Sequence, residues 1–163
     1  PVTVNRIEFN NPTNRYAIGG HGSVNLQANT VNPTISVGGT HEFQARVNLL
    51  NETTVSITSA STLIFNNGLD LMENTLIKSG TGDLVIRNDL LTSGGTVIVQ
   101  EGVVSGSGTV SGDLNNHSGT ISPGNSAGLT SAVPEPSSIV LMLISIVTFL
   151  SIPRKRHRHG SIS

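Results

Sequence analysis

Acidic side chains are the residues of this chain whose type most readily supports catalysis. Two carboxylates held side by side can protonate a leaving group and activate water, which is the chemistry of polysaccharide cleavage. The acids before residue 129 are never closer than three positions, and stacked strands could still bring two together in space. We expect solvated surface charges, and the sequence leaves a carboxylate pair open. These acids are Glu8, Glu42, Glu52, Asp70, Glu73, Asp83, Asp89, Glu101 and Asp113.

A serine motif raises a second kind of chemistry. Gly124-Asn125-Ser126-Ala127-Gly128 matches the G-x-S-x-G nucleophile elbow, in which a strained strand-to-helix turn exposes the serine. No helical pattern follows it, and the only later acid is Glu135. The later histidines, His157 and His159, lie beyond an uncharged apolar segment. We therefore expect a turn at Ser126 rather than a nucleophile.

Metal and cofactor sites are not predicted. The glycines of 106–112 have the wrong final spacing for a dinucleotide fingerprint. Asp83 and Asp113 lack the glycine-rich nonapeptide of calcium-binding solenoids. The histidines lack a metal-ligand spacing, and we expect them at surface or turn positions. They are His21, His41 and His117.

Composition points to an all-β protein. The chain has 163 residues, 18 of them glycine, with 12% charged and 3% aromatic residues and no cysteine. A coiled coil, a charge-driven disordered chain and a conventional helical enzyme do not fit these values. Without cysteine there is no disulfide framework, zinc-thiolate site or thiol nucleophile. The sequence opens on Pro1 without a Met, a basic n-region or an apolar h-region, so we expect any export signal to have been removed or to lie outside this sequence.

Short β-strands divide residues 1–128 into a repeating body. The clearest strands are 53–58, 83–87 and 96–100, each rich in β-branched residues. Further candidates are 3–9, 23–27, 34–37, 41–50, 62–65 and 75–78.

From Gly80 onward, glycines separate strands of three to five residues, which suits the stacked turns of a β-helix better than a sandwich. The alternative for 102–128 is a flexible Gly/Ser/Asn linker. The residues predicted to point inward are Val97, Val99, Val103, Val110, Leu114 and Ile121.

Charge is distributed unevenly along the chain. Four of its nine basic residues, Arg154, Lys155, Arg156 and Arg158, lie in the last ten positions. Residues 1–152 therefore carry five basic against ten acidic side chains, a net charge of −5. Such a body would be repelled by phosphate backbones, so we predict no nucleic-acid partner.

The C-terminal region has the composition of a membrane anchor. Residues 129–138 form an extended linker, and the uncharged 139–152 would make a helix about 21 Å long, short of the roughly 30 Å hydrocarbon core. The basic residues of the 153–163 tail would snorkel to the headgroups and place that tail in the cytoplasm. A buried core segment is the alternative. The apolar residues are Ile139, Val140, Leu141, Met142, Leu143, Ile144, Ile146, Val147, Phe149, Leu150 and Ile152.

The order of these C-terminal features resembles the PEP-CTERM protein-sorting signal. The resemblance covers 133–159 and consists of Val133, Pro134, Glu135 and Pro136, then two serines, the apolar segment and the basic end. It implies that an exosortase, a membrane enzyme, recognises the signal and processes the chain near Pro-Glu-Pro. It also implies export by a Gram-negative bacterium, of a kind that often makes exopolysaccharide.

The body resembles autotransporter-associated β-strand repeats. That family implies a right-handed parallel β-helix, although this sequence holds one good repeat, degenerate neighbours and no translocating barrel domain. The segments that carry the resemblance are 6–10, 16–20, 76–86, 106–114 and 121–128.

Together these features predict a non-enzymatic, exported bacterial surface or extracellular-matrix protein with a structural or adhesive role. Its β-helical body would lie outside the cytoplasmic membrane, held by a single C-terminal transmembrane helix until an exosortase processes it. It would end at the cell surface or in the extracellular medium. The alternative is a β-helix that binds or cleaves extracellular polysaccharide and is delivered by the same signal.

Overall fold

A computed structural model describes residues 1–124 of the chain, without the side chain of Thr92. This part consists of short strands and contains no helix. β-Branched and aliphatic residues supply the strands, and Gly and Asn supply the turns between them. The strands are β1 (Val2–Val4), β2 (Arg6–Asn10), β3 (Ala17–Ile18), β4 (Ser23–Leu26), β5 (Thr34–Gly38), β6 (Thr40–Phe43), β7 (Arg46–Leu49), β8 (Thr53–Ile57), β9 (Thr62–Phe65), β10 (Leu69–Asp70), β11 (Thr75–Ser79), β12 (Asp83–Ile86), β13 (Leu90–Val99), β14 (Val103–Gly106), β15 (Val110–Asn116) and β16 (Thr120–Pro123).

The strands stack as a parallel β-solenoid of about six turns with three faces. The first face contains β1, β4, β7 and β10, and the second contains β2, β5, β8 and β11. The third face contains β3, β6, β9, β12, β14 and β16. The longer strands β13 and β15 serve both the first and second faces, and their register shifts between Leu91 and Thr96. The predicted all-β parallel solenoid is confirmed.

The length of one turn varies along the body. Val2 pairs with Val24, 22 residues later, whereas Val97 pairs with Leu114, only 17 residues later. Because side chains alternate between the two sides of a strand, these registers stack like side chains in columns. The corners absorb the differences in length and leave the columns in phase.

The core consists of the inward columns of the three faces. Val24, Val47, Leu69 and Leu90 form one such column on the first face. On the third face the rings of Phe43 and Phe65 stack with centroids 5.1 Å apart. Parallel strands covered on their inner side in this way are strongly apolar at alternate positions.

The last described turn is less completely covered. Val110 and Ile121 stand in inward columns but are 39% and 36% exposed. With Leu114 they border an apolar cavity of about 320 Å³. The predicted inward position of these residues is correct, and their burial is incomplete in the last turn that the structure describes.

Two predictions in the second half of the body need correction. Val103 does not point inward, because it pairs with Asp83, and the next residue, Val104, stacks on Leu84 in the inward column. Val97 and Val99 are buried as predicted. The flexible-linker alternative is wrong for residues 103–123, which contain the paired strands β14, β15 and β16.

The single strand predicted over 41–50 is divided into β6 and β7. At the division the amides of Gln44 and Ala45 both donate to the carbonyl of Ile18, at 2.8 and 3.1 Å. Two successive amides that converge on one acceptor turn the chain, which makes this position a corner of the solenoid.

Glycine is required at the corner between the second and third faces. Gly80 has φ 73°, and a Cβ there would lie 2.3 Å from the carbonyl oxygen of Ile57. Gly102, at the same corner one turn later, also has φ 73°. An L-residue is disfavoured in this left-handed region, and the contact leaves no room for a side chain.

Several predicted elements lie outside the described residues. They are the linker 129–138 with its sorting motif 133–136, the apolar segment 139–152, the basic tail 153–163, and Ser126. Between residues 1 and 124, no helix is long and apolar enough to cross a membrane.

Candidate functional site

The described turns bring no two strand carboxylates into register. Asp83 faces Thr62 and Val103, and Asp113 faces Thr96. No group of three His, Asp or Glu residues that could hold a metal ion occurs within residues 1–124. Seven of the nine acids are exposed, which confirms for those seven the expectation of surface charge.

Glu42 contradicts that expectation. It is 8% exposed and lies on the third face, where Arg15 Nη2 donates to its Oε2. Gln44 Nε2 donates to Oε1 at 2.8 Å, and Asn66 Nδ2 donates to Oε2 at 2.6 Å. Burial opposes ionisation, but the hydrogen bonds from Gln44 and Asn66 and the charge of Arg15 outweigh it. The pKa of Glu42 therefore lies below its ordinary value of 4.5.

Asp70 is the second acid that is not solvated. It is 7% exposed, on the first face, and its Oδ2 accepts a hydrogen bond from Arg46 Nη2 at 2.8 Å. Its Oδ1 accepts from the amide of Met72 and from Ser93 Oγ, both at 3.1 Å. Arg46 and Ser93 come from the turns before and after Asp70, so the carboxylate joins three turns.

The side-chain hydrogen bonds of the first face extend from Arg46 to the preceding turns and form a polar ladder. Arg46 Nε donates to Asn48 Oδ1 at 3.2 Å, and Asn48 Nδ2 donates to Asn25 Oδ1 at 2.9 Å. Asn25, Asn48 and Asp70 are register partners on successive turns. Asparagines stacked in this way satisfy one another, and the ladder stabilises the turn-to-turn contact.

His41 is a buried core residue, which corrects the prediction of a surface or turn position. Its Nδ1 accepts a hydrogen bond from the amide of Tyr16 at 3.1 Å, and its Nε2 donates to the carbonyl of Gly38 at 3.0 Å. Its ring stacks on Phe9 with a centroid distance of 4.8 Å. Both nitrogens are occupied, so neither is free to bind a metal. His21 and His117 are exposed, as predicted.

Lys78 is a buried cation that the sequence reasoning missed. It is 0% exposed and occupies the inward column between Val55 and Val99. Its Nζ donates to the carbonyls of Ser79 at 3.0 Å, Gly80 at 2.6 Å and Glu101 at 3.1 Å. The signal was present in the period of β11, because Leu76 and Lys78 are two residues apart and must share a face.

The environment of Lys78 gives it a structural role. Burial lowers the pKa of the ammonium group, and the charges of Asp83 and Glu101 oppose that change. The three carbonyls come from two consecutive turns, so the side chain fastens one turn to the next. A buried amine with three acceptors is not positioned to attack a substrate.

The second face carries a group of small hydroxyl side chains at outward positions. Ser36, Ser56 and Ser79 are register partners on three consecutive turns. Thr34 and Thr54 form the neighbouring outward pair. No buried side-chain nitrogen or oxygen among the described residues lacks a hydrogen-bond partner.

Comparison with known proteins adds no relative to this description. A scan against protein-family models, a search of curated proteins and a search of solved structures each give no match.

Proposed function

We propose that this chain is an exported bacterial surface or extracellular-matrix protein with a structural or adhesive role. The observation that supports it is the self-contained body. Its buried acids and its buried lysine are satisfied by groups of the same solenoid, and its second face presents five hydroxyl side chains at outward positions. Such a body suits a role in bearing load or contacting other surfaces more than a role in transforming a small molecule.

The targeting part of the proposal rests on the C-terminal sequence. Pro134, Glu135 and Pro136 would be recognised by an exosortase, and 139–152 would insert as a helix. The basic residues 154–158 would hold the tail in the cytoplasm and leave the solenoid outside. The protein would then be processed and reach the cell surface or the medium. We propose a right-handed solenoid, because parallel crossover connections are right-handed in nearly all cases.

The alternative of polysaccharide cleavage gains no support from the described acids. Glu42 and Asp70 are each bound to an arginine, and neither has an acid as its register partner. We therefore do not propose a hydrolytic activity for these residues.

The test is fractionation of cells that express the complete precursor, with mass spectrometry of the C-terminus of the protein in each fraction. A variant with Pro134, Glu135 and Pro136 changed to Ala is compared with the wild type. The proposal predicts an extracellular protein that ends near Pro136 and a variant that stays uncut in the membrane. An intact tail in the extracellular wild-type protein would refute the processing step.

A further inference from the structure

We propose that Asn67 is a site of spontaneous deamidation, with the amide nitrogen of Gly68 as the nucleophile and water as the second reactant. Asn67-Gly68 is the only Asn-Gly pair in the sequence. It forms the corner between β9 and β10, where the third face leads into the first. The inference concerns the ageing of the body and does not depend on the proposed function.

The corner places the reacting groups next to each other. The Gly68 amide donates to Asn67 Oδ1 at 2.7 Å, and this oxygen is bonded to the carboxamide carbon that must be attacked. Asn67 Nδ2 donates to the carbonyl of Gln44 at 3.2 Å. Both hydrogen bonds must break before the nitrogen can approach the carbon from above the carboxamide plane, and the short distance that remains is what promotes the reaction. Asn67 is also exposed, so water can reach the product of the attack.

The chemistry needs no enzyme or cofactor. The Gly68 nitrogen loses its proton to water and bonds to Cγ of Asn67, while Nδ2 takes up a proton from water, the bond from Cγ to Nδ2 breaks and ammonia leaves. The resulting succinimide is then opened by water at either carbonyl. Opening at one carbonyl gives aspartate. Opening at the other gives isoaspartate, in which the main chain runs through the former side chain.

The next turn of the solenoid supplies an internal comparison. Asn88 occupies the equivalent corner between β12 and β13, and its Oδ1 accepts from the amide of Asp89 at 2.8 Å. The carboxamide and the amide are therefore placed alike at the two corners. The difference is the following residue, because the side chain of Asp89 hinders the approach of its own amide nitrogen and Gly68 has no side chain. We expect Asn67 to react and Asn88 to remain largely intact.

Reaction at Asn67 would alter two features of the body. An isoaspartate adds one main-chain atom beside two ladder hydrogen bonds, from Val47 N to Gly68 O at 3.0 Å and from Leu69 N to Asp89 O at 3.2 Å. Either product adds a carboxylate to a polar cavity of about 530 Å³ that Asn67 shares with His21 and Arg46. The ladders from the third to the fourth turn and from the fourth to the fifth would loosen, and the charge near Arg46 would change.

The structure indicates a substitution that should slow the reaction without disturbing the fold. A Cβ at Gly68 would meet only the carbonyl oxygen of Asp89, at 4.0 Å, and the φ angle of Gly68 lies outside the left-handed region. Gly68→Ala should therefore fold normally and react more slowly. The reverse variant is Asp89→Gly, which creates an Asn-Gly pair at the other corner.

The experiment follows deamidation of the folded full chain by peptide mapping and mass spectrometry during incubation at neutral and mildly alkaline pH. We expect Asn67 to react at least about tenfold faster than Asn88, and Gly68→Ala to slow it by a similar factor. Asp89→Gly should bring Asn88 into the same range. Far-UV circular dichroism before incubation checks that each variant is folded.

A parallel incubation in urea separates the effect of the corner from that of the dipeptide. We expect Asn67 to react in the folded chain, and more slowly than in the unfolded chain, because the hydrogen bonds to Gln44 and from Gly68 must break first. The proposal is overturned by a folded protein in which Asn67 stays intact while the unfolded chain reacts. It is also overturned if Gly68→Ala leaves the rate unchanged, or if Asn67 and Asn88 react at the same rate.

Discussion

Replacing Lys78 by methionine tests whether the buried ammonium stabilises the solenoid. Methionine keeps most of the length of the lysine stem and fits the apolar column between Val55 and Val99. The variant removes three hydrogen bonds to main-chain carbonyls, of 2.6, 3.0 and 3.1 Å. At about 1 kcal/mol for each bond, the loss is about 3 kcal/mol. Removing the buried charge also removes its desolvation cost, which offsets part of this loss. We expect the free energy of unfolding to fall by about 2 kcal/mol at pH 7.

The assay is urea denaturation of the full chain in a non-ionic detergent, followed by far-UV circular dichroism because the chain has no tryptophan. The matched control is Ile77→Met, because Ile77 is the outward, half-buried neighbour of Lys78 on the same strand. We expect that control to change the free energy of unfolding by no more than about 0.5 kcal/mol. A Lys78→Met protein as stable as the wild type at pH 7 would refute the reasoning.

The same pair of proteins gives a pH dependence with a definite sign. Burial lowers the pKa of Lys78 in the folded state below its ordinary value of 10.5. Between the folded pKa and 10.5 the unfolded chain binds more protons, so the free energy of unfolding of the wild type rises with pH. The free energy of unfolding of Lys78→Met lacks this rise with pH, because the variant has no amine at that position. The stability difference between the two proteins should therefore widen as the buffer is made alkaline, and a constant difference would contradict the assigned cause.

Three further substitutions test the contacts of Glu42, the corner at Gly80 and the core at Phe43, each by denaturation of the full chain. Glu42→Gln should cost about 1–3 kcal/mol at pH 7 by leaving a charged partner unmatched. Because the pKa of Glu42 is lowered, this difference should persist above pH 4.5 and vanish as the pH falls through the folded pKa. Gly80→Ala should cost about 1–3 kcal/mol because of its positive φ and a backbone contact, whereas Gly22→Ala, with no neighbour within 4 Å, should be neutral. Phe43→Ala, which removes a fully buried stacked ring, should cost about 3–5 kcal/mol.

The class of fold could be predicted from local features of the sequence. Strands too short for a sandwich, with glycines at the turns, leave stacking along one axis as the way to bury their aliphatic residues. The phase of a strand could not always be predicted. In β14 two valines are adjacent, and only the register with Leu84 decides that Val104 points inward. Two like residues side by side carry no alternation.

The partners of the two buried acids, Glu42 and Asp70, could not be predicted, because these contacts depend on the length of each turn. Arg15 and Glu42 are 27 positions apart, and Arg46 and Asp70 are 24 apart. Neither spacing is a fixed repeat, since the corners between the strands differ in length. An acid in the sequence therefore gave no sign of which arginine it would meet. Lys78 differs from these pairs, because strand alternation alone is enough to predict its inward side.

Strand pairing between consecutive turns determines how the body responds to a pulling force. Each hydrogen bond between consecutive turns runs along the solenoid axis. Pulling at the two ends therefore breaks the bonds of one turn at a time and does not shear all the turns at once. A released turn of 22 residues, the spacing from Val2 to Val24, extends to on the order of 70 Å. A molecule of this construction, fastened at one end, would lengthen in steps and dissipate work at each step, which is the behaviour of a shock-absorbing tether.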